Sequence, residues 1–150
     1  MFSSRLIQLI ESHADQISAK VILQIREDPK LRELRELPES DLQDKAREIL
    51  KNLGHWLLSK DDEIARHYER LGRIRFEESV PLHEIVLALQ IIKQKMINFA
   101  RDQGMLDTAV NIYAEEELEY SVDRFFDHVI YHSVRGYEEA LREAVHLPQR

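Results

Sequence analysis

Seven histidines and 28 carboxylate side chains are the residues with which this 150-residue chain could do chemistry. His128 and His132 stand four apart, so on one helix their imidazoles share a face, the spacing that lets two histidines hold one metal ion. Asp127, or a carboxylate from another helix, would complete such a set. Neither an HExxH motif nor a pair of ExxH motifs occurs, which excludes the zinc-protease and di-iron arrangements. His128 and His132 are therefore weak metal candidates, set against the plainer reading of surface or interface histidines. The expectation is no metal and no cofactor.

Three other histidines invite specific chemistries. His55 and His83 lie 28 residues apart, an invitation to read distal and proximal haem ligands. His83, however, falls in the first turn of the penultimate long helix, whereas a proximal ligand belongs on the helix before it. His67 is on that earlier helix, but Arg66, Glu69 and Arg70 around it describe a wet face. His83-Glu84-Ile85 also echoes the phosphoacceptor box of two-component kinases, yet continues Val86-Leu87-Ala88-Leu89 where that box has a basic residue and a proline. No nucleotide-binding region accompanies it, so His83 reads as a helix-first-turn residue.

No Gly-rich phosphate loop and no GxSxG motif is present. Glu115-Glu116-Glu117 and Glu119 form an acidic run near the start of the last helix, where the helix dipole stabilises carboxylates. With no cysteine in the chain, thiolate nucleophiles, disulfides and Cys-type zinc sites are excluded. These residues point to a sensory or regulatory module rather than an enzyme.

The elements that would position them are helical. Leu6, Ile10, Ala14, Ile17, Val21 and Ile25 recur at three and four, predicting a helix over 4–26, with Ser3 or Ser4 at its start and Asp28-Pro29 as its stop. Leu31, Leu34 and Leu37 predict a short helix or 3₁₀ turn. Ser40-Asp41-Leu42-Gln43 has the capping-box form and predicts a helix to about Leu58, with Trp56 as a core or interface anchor. Asp61 or Asp62 is expected to cap a helix over 62–77. Ser79-Val80-Pro81 restarts the chain, because proline suits a first helical turn. Leu82, Ile85, Val86, Leu89, Ile92, Met96, Phe99 and Ala100 then give the broad apolar stripe of a central helix ending at Gly104. From Asp107 to about Val145 a three–four alternation close to a heptad seam predicts one long helix, with Gly136 as a bend.

Length and composition fit this reading. The chain is expected to be one domain, 43% hydrophobic and 33% charged, with only four glycines and four prolines for turns. The net charge of −7 argues against nucleic acid and anionic membrane surfaces as partners. No stretch approaches the ~18–20 apolar residues of a membrane span, and no signal-peptide core precedes the first helix. A cytoplasmic location is expected.

Leu9-Ile10-Glu11-Ser12-His13-Ala14-Asp15-Gln16-Ile17, Leu37-Pro38-Glu39-Ser40-Asp41-Leu42 and the run from Leu71-Gly72-Arg73 through Ser79-Val80-Pro81-Leu82-His83-Glu84-Ile85-Val86 together resemble the N-terminal sensor domain of RsbT co-antagonist proteins of the RsbR/RsbRD type. Similar domains stand at the front of some bacterial sensor histidine kinases. The resemblance covers about residues 5–145. It implies an all-α, globin-like bundle of five to six helices with two long C-terminal helices, without haem and usually dimeric. It also implies homodimer contacts through those C-terminal helices and signalling partners carrying STAS or kinase domains. No catalytic residue is implied. No STAS domain follows in 150 residues, so the last helix is expected either to carry a signal to a neighbouring domain or to act through a separate partner.

Overall fold

The computed structural model describes residues 4–103 and 109–145. Among them the order is α1 Ser4–Ser12, α2 Ala14–Glu27, 3₁₀ turns at Pro29–Leu31 and Leu34–Glu36, α3 Glu39–Lys51, α4 Leu53–Leu58, α5 Asp61–Glu77, α6 Leu82–Gln103 and α7 Ala109–Ala144. The fold is all-α with two long C-terminal helices, as expected. The cap assigned to Ser3, the helix end at Gly104 and the helix start at Asp107 lie outside the described residues.

Among the described residues seven α-helices stand where five or six were expected, because two predicted helices are each broken once. His13 leaves helical geometry at φ −109° and ψ 21°. The Ser12 hydroxyl donates to the Leu9 carbonyl at 3.2 Å and His13 Nδ1 lies 2.8 Å from the same oxygen. Both side chains compete for a carbonyl the backbone ladder needs, which bends the helix there. Asn52 does the same between α3 and α4, with φ −116° and its amide donating to Glu48 O at 3.0 Å.

Two predicted caps are not used. Pro38 takes the N-cap place of α3, its carbonyl accepting the Asp41 and Leu42 amides at 3.0 and 3.2 Å. Ser40 therefore falls inside the first turn, too late to cap. In α5 the N-cap is Lys60, and Asp61, Asp62 and Glu63 fill the first turn, where the dipole favours them.

The turn from α5 to α6 is set by Ser79, the non-glycine residue at positive φ (64°) among the described residues. The Ser79 amide donates to Phe76 O at 2.9 Å and the Val80 amide to Arg75 O at 3.0 Å. These are the paired bonds of a Schellman ending, and Val80 behind them is buried. Pro81 stands just ahead of α6 rather than within it, and its carbonyl accepts the Glu84 amide at 3.0 Å.

The core runs between the helices from Ile10 and Ile17 through Leu50 and Leu53 to Met96, Leu118 and Phe126, all nearly inaccessible. Leu31 and Leu34 of the 3₁₀ turns join it. Trp56 packs against Tyr68 and Phe125, with ring centroids 5.5 and 6.0 Å away, as the core anchor the sequence suggested. Lys93–Asp123 and Arg101–Glu119 ion pairs at 3.4 and 2.8 Å show α6 and α7 to be antiparallel neighbours.

Candidate functional site

The closest helix pair is α5 on α7, which run in the same direction, and two glycines make the approach. A Cβ on Gly72 would stand 2.0 Å from Ser133 O, and one on Gly136 would stand 2.0 Å from Glu69 O. Gly136 is thus a contact point within a continuous helix, not the predicted bend. Arg73 holds Glu143 with two bonds of 2.9 and 3.2 Å, and the Tyr137 hydroxyl donates to Val80 O at 2.8 Å.

At the start of α5 the crossing brings together the two histidines singled out by spacing. His128 Nδ1 lies 2.9 Å and His132 Nε2 3.1 Å from the same oxygen, Oδ1 of Asp61. The completing carboxylate is therefore Asp61, from another helix, while Asp127 is exposed. The hydrogen bond to His132 holds the Asp61 carboxyl below its usual range, with the neighbouring imidazoles adding to the effect. Behind the pair, Glu69 Oε2 is 3.8 Å from His132 Nδ1.

The remaining histidines are apart. His55 pairs with Glu63 at 2.8 Å on the surface, and His67 with Glu48 at 2.5 Å. His83 is exposed; its neighbour Glu84, which sequence reasoning passed over, is buried. The Glu33 and Leu34 amides donate to the Glu84 carboxylate at 3.1 and 2.8 Å, so this side chain caps the second 3₁₀ turn from 50 residues away. In the acidic run, Glu119 is paired with Arg101.

Between α2, α3, α5 and α6 lies a cavity of about 240 Å³. Ile25, Ile49, Leu89 and Ile92 form its apolar wall, with Lys45 and Arg70 on its polar side. Two unexpected polar groups line it. Arg75 is buried and paired with Asp41 at 3.1 Å and Glu78 at 2.6 Å. Tyr68 is buried with no hydrogen-bond partner for its hydroxyl, and that burial drives its ionisation far above the usual range. The burial of Tyr68 follows from the apolar stripe of its helix, whereas its unpartnered hydroxyl and the burial of Arg75 were not visible in sequence, because an arginine in a polar helix reads as solvated. Gly72 did carry a signal, since an isolated glycine inside a helical pattern points to close packing.

The described residues thus form an all-helical bundle with a cavity lined by α2, α3, α5 and α6. The family model described as the RsbT co-antagonist protein rsbRD N-terminal domain matches residues 15–150, and the chain belongs to that family. It is thus a regulatory domain of signal transduction. The match begins at α2, leaving α1 outside it. No curated protein and no solved structure matches the chain. Among the described residues no helix is long and apolar enough to cross a membrane.

Proposed function

We propose that this is a non-enzymatic, cytoplasmic sensory domain of bacterial stress or two-component signalling, with a globin-like bundle that dimerises through its C-terminal helices. Its partners on this reading carry STAS or kinase domains, and α7 is the output. The observation that carries the dimer is an exposed tyrosine stripe on α7. Tyr113, Tyr120 and Tyr131 are 57–65% exposed, and their separations of 7 and 11 residues are close to two and three whole helical turns. Leu141 and Val145 continue exposed apolar surface toward the end of the helix. Tyrosine is the residue type that buries large area at little entropic cost in an interface.

Sedimentation across the micromolar range tests this. Wild-type protein is expected to dimerise, and Tyr120→Glu with Tyr131→Glu to weaken the dimer at least ~10-fold, or ~1.4 kcal/mol. A wild-type monomer throughout that range refutes the dimer.

The cavity supports a second reading, a small apolar ligand held between α2, α3, α5 and α6. Its volume falls below the ~300–1,000 Å³ usual for ligand pockets, and His67 is engaged with Glu48, so the shape favours a small molecule over haem. Native mass spectrometry of the purified protein should then show a bound mass that Ala88→Leu, which fills the cavity, removes. A clean apo mass, with no change on adding haemin, sinks this reading.

A further inference from the structure

We infer that Asp61, His128 and His132 form a binding site for a divalent transition-metal ion. One nitrogen from each of two imidazoles and one carboxylate oxygen lie within 4.8 Å of one another. With zinc bonds of ~2.0–2.1 Å, the edges of a tetrahedral ligand set are about 3.3 Å. The two nitrogen–oxygen separations, 2.9 and 3.1 Å, already match those edges. The nitrogen–nitrogen edge lies within 4.8 Å, and the half-buried His128 side chain, 44% exposed, has room to adjust it.

The surroundings are those of a ligand set rather than of an ordinary surface pair. His132 is almost wholly buried, and its Nδ1 has no hydrogen-bond partner. Glu69 Oε2 stands 3.8 Å from that nitrogen. Without an ion, Nε2 donates to Asp61; when an ion binds, a proton on Nδ1, facing Glu69, frees the Nε2 lone pair to coordinate it. Carboxylate–histidine–metal sites use this arrangement to orient the ring and strengthen it as a ligand. Asp61 and His128 are more than 40% exposed and provide access from solvent.

A cleft of about 300 Å³, lined by Trp56, Ser59, Asp61, Ser121, Arg124 and His128, adjoins the site. The three protein ligands leave a coordination position for water or for an oxygen donor from that cleft. Two nitrogens and one oxygen select a borderline ion such as zinc, cobalt or nickel over magnesium or calcium, which take oxygen ligands. The ion would join the first residue of α5 to the middle of α7, and so fix the helix pair at the end away from Arg73 and Glu143.

Calorimetric titration of EDTA-treated protein with zinc chloride tests the site. The expected result is one saturable site at micromolar affinity or tighter, a rise in thermal midpoint with zinc, and no such rise with magnesium. His128→Gln and Asp61→Asn should each weaken zinc binding at least ~10-fold; metal-free His128→Gln should melt like wild type, and metal-free Asp61→Asn somewhat lower, because it loses the carboxylate that accepts from His132. Glu69→Gln touches no ion and should still cost ~10–100-fold. Cobalt should quench the fluorescence of Trp56, the single tryptophan, in wild type and not in His128→Gln. The site is refuted by wild-type protein with no saturable zinc binding below ~100 µM. It is equally refuted if zinc binding survives the double variant Asp61→Asn, His128→Gln, or is abolished by His55→Gln instead.

Discussion

Replacing Gly72 by alanine puts opposing effects in competition at one atom. In an open helix the change stabilises, since alanine exceeds glycine in helix propensity by about 1 kcal/mol. Here the added Cβ meets Ser133 O at 2.0 Å, and Ser133 C and Tyr137 N at 2.9 Å. Those are backbone atoms of α7, so no rotamer change relieves the overlap and the helices must part. Reaching an ordinary contact near 3.4 Å requires about 1.4 Å of separation, more than the 0.5–1 Å gap that already forfeits a quarter to a half of each dispersion contact. Overpacking a core commonly costs ~1–3 kcal/mol, and the upper end applies where backbone faces backbone. Subtracting the propensity gain leaves a net loss of about 2 kcal/mol. For a chain of this length that corresponds to a fall of roughly 4–8 °C in thermal midpoint. Calorimetry or urea unfolding followed by helical circular dichroism reads it directly. Gly136→Ala should act alike through Glu69 O, and the double variant should cost less than the sum, because helices already parted tolerate the second methyl. An unchanged or raised midpoint for Gly72→Ala refutes the close crossing.

Three further substitutions probe the local chemistry. Ser79→Gly should stabilise by about 1 kcal/mol, read as a higher urea midpoint, because an L side chain at φ 64° carries a strain of ~1–2 kcal/mol that glycine escapes. Glu84→Ala should cost about 2 kcal/mol by leaving the Leu34 amide buried without an acceptor, and should raise amide hydrogen exchange around Leu34. The His67 hydrogen bond holds the Glu48 carboxyl below its usual value of 4.5. A carboxylate depressed in the folded state stabilises above the unfolded value and loses that contribution as pH falls through the folded value. The stability gap between wild type and Glu48→Gln should therefore be widest near neutral pH and shrink as pH falls below about 4.5, measured by urea unfolding across that range.

Helix positions were legible because burial repeats every three to four residues, and Ile10, Ile17, Leu50, Leu89, Val122 and Val129 all sit where that period places them. Breaks were not legible, because His13 and Asn52 are ordinary mid-helix residues until a neighbouring carbonyl captures them. The capping box at Ser40 failed for a related reason. Its pattern is local, but Pro38 caps the helix two residues earlier and removes the need for it. Of the candidate site, the shared face of His128 and His132 could be read from spacing alone. Asp61 and Glu69 could not, since their proximity depends on how α5 crosses α7, and that is decided by two glycines 64 residues apart in the chain.

That crossing gives α7 two unlike faces. One is held by α5 at graded depths: polar side chains around Asp61, direct backbone approach at Gly72 and Gly136, and the Arg73–Glu143 and Tyr137–Val80 bonds beyond. The other face carries Tyr113, Tyr120 and Tyr131 into solvent. Backbone contact at the glycines leaves no compressible layer of side chains, so α7 cannot slide or roll against α5 by small increments without overlap. A helix so held responds to a change at its neighbour by moving as a unit or not at all. In the dimer proposed above, this would convert a perturbation beside α5 into a displacement along the whole tyrosine stripe. A loosely packed pair of the same length would absorb it locally.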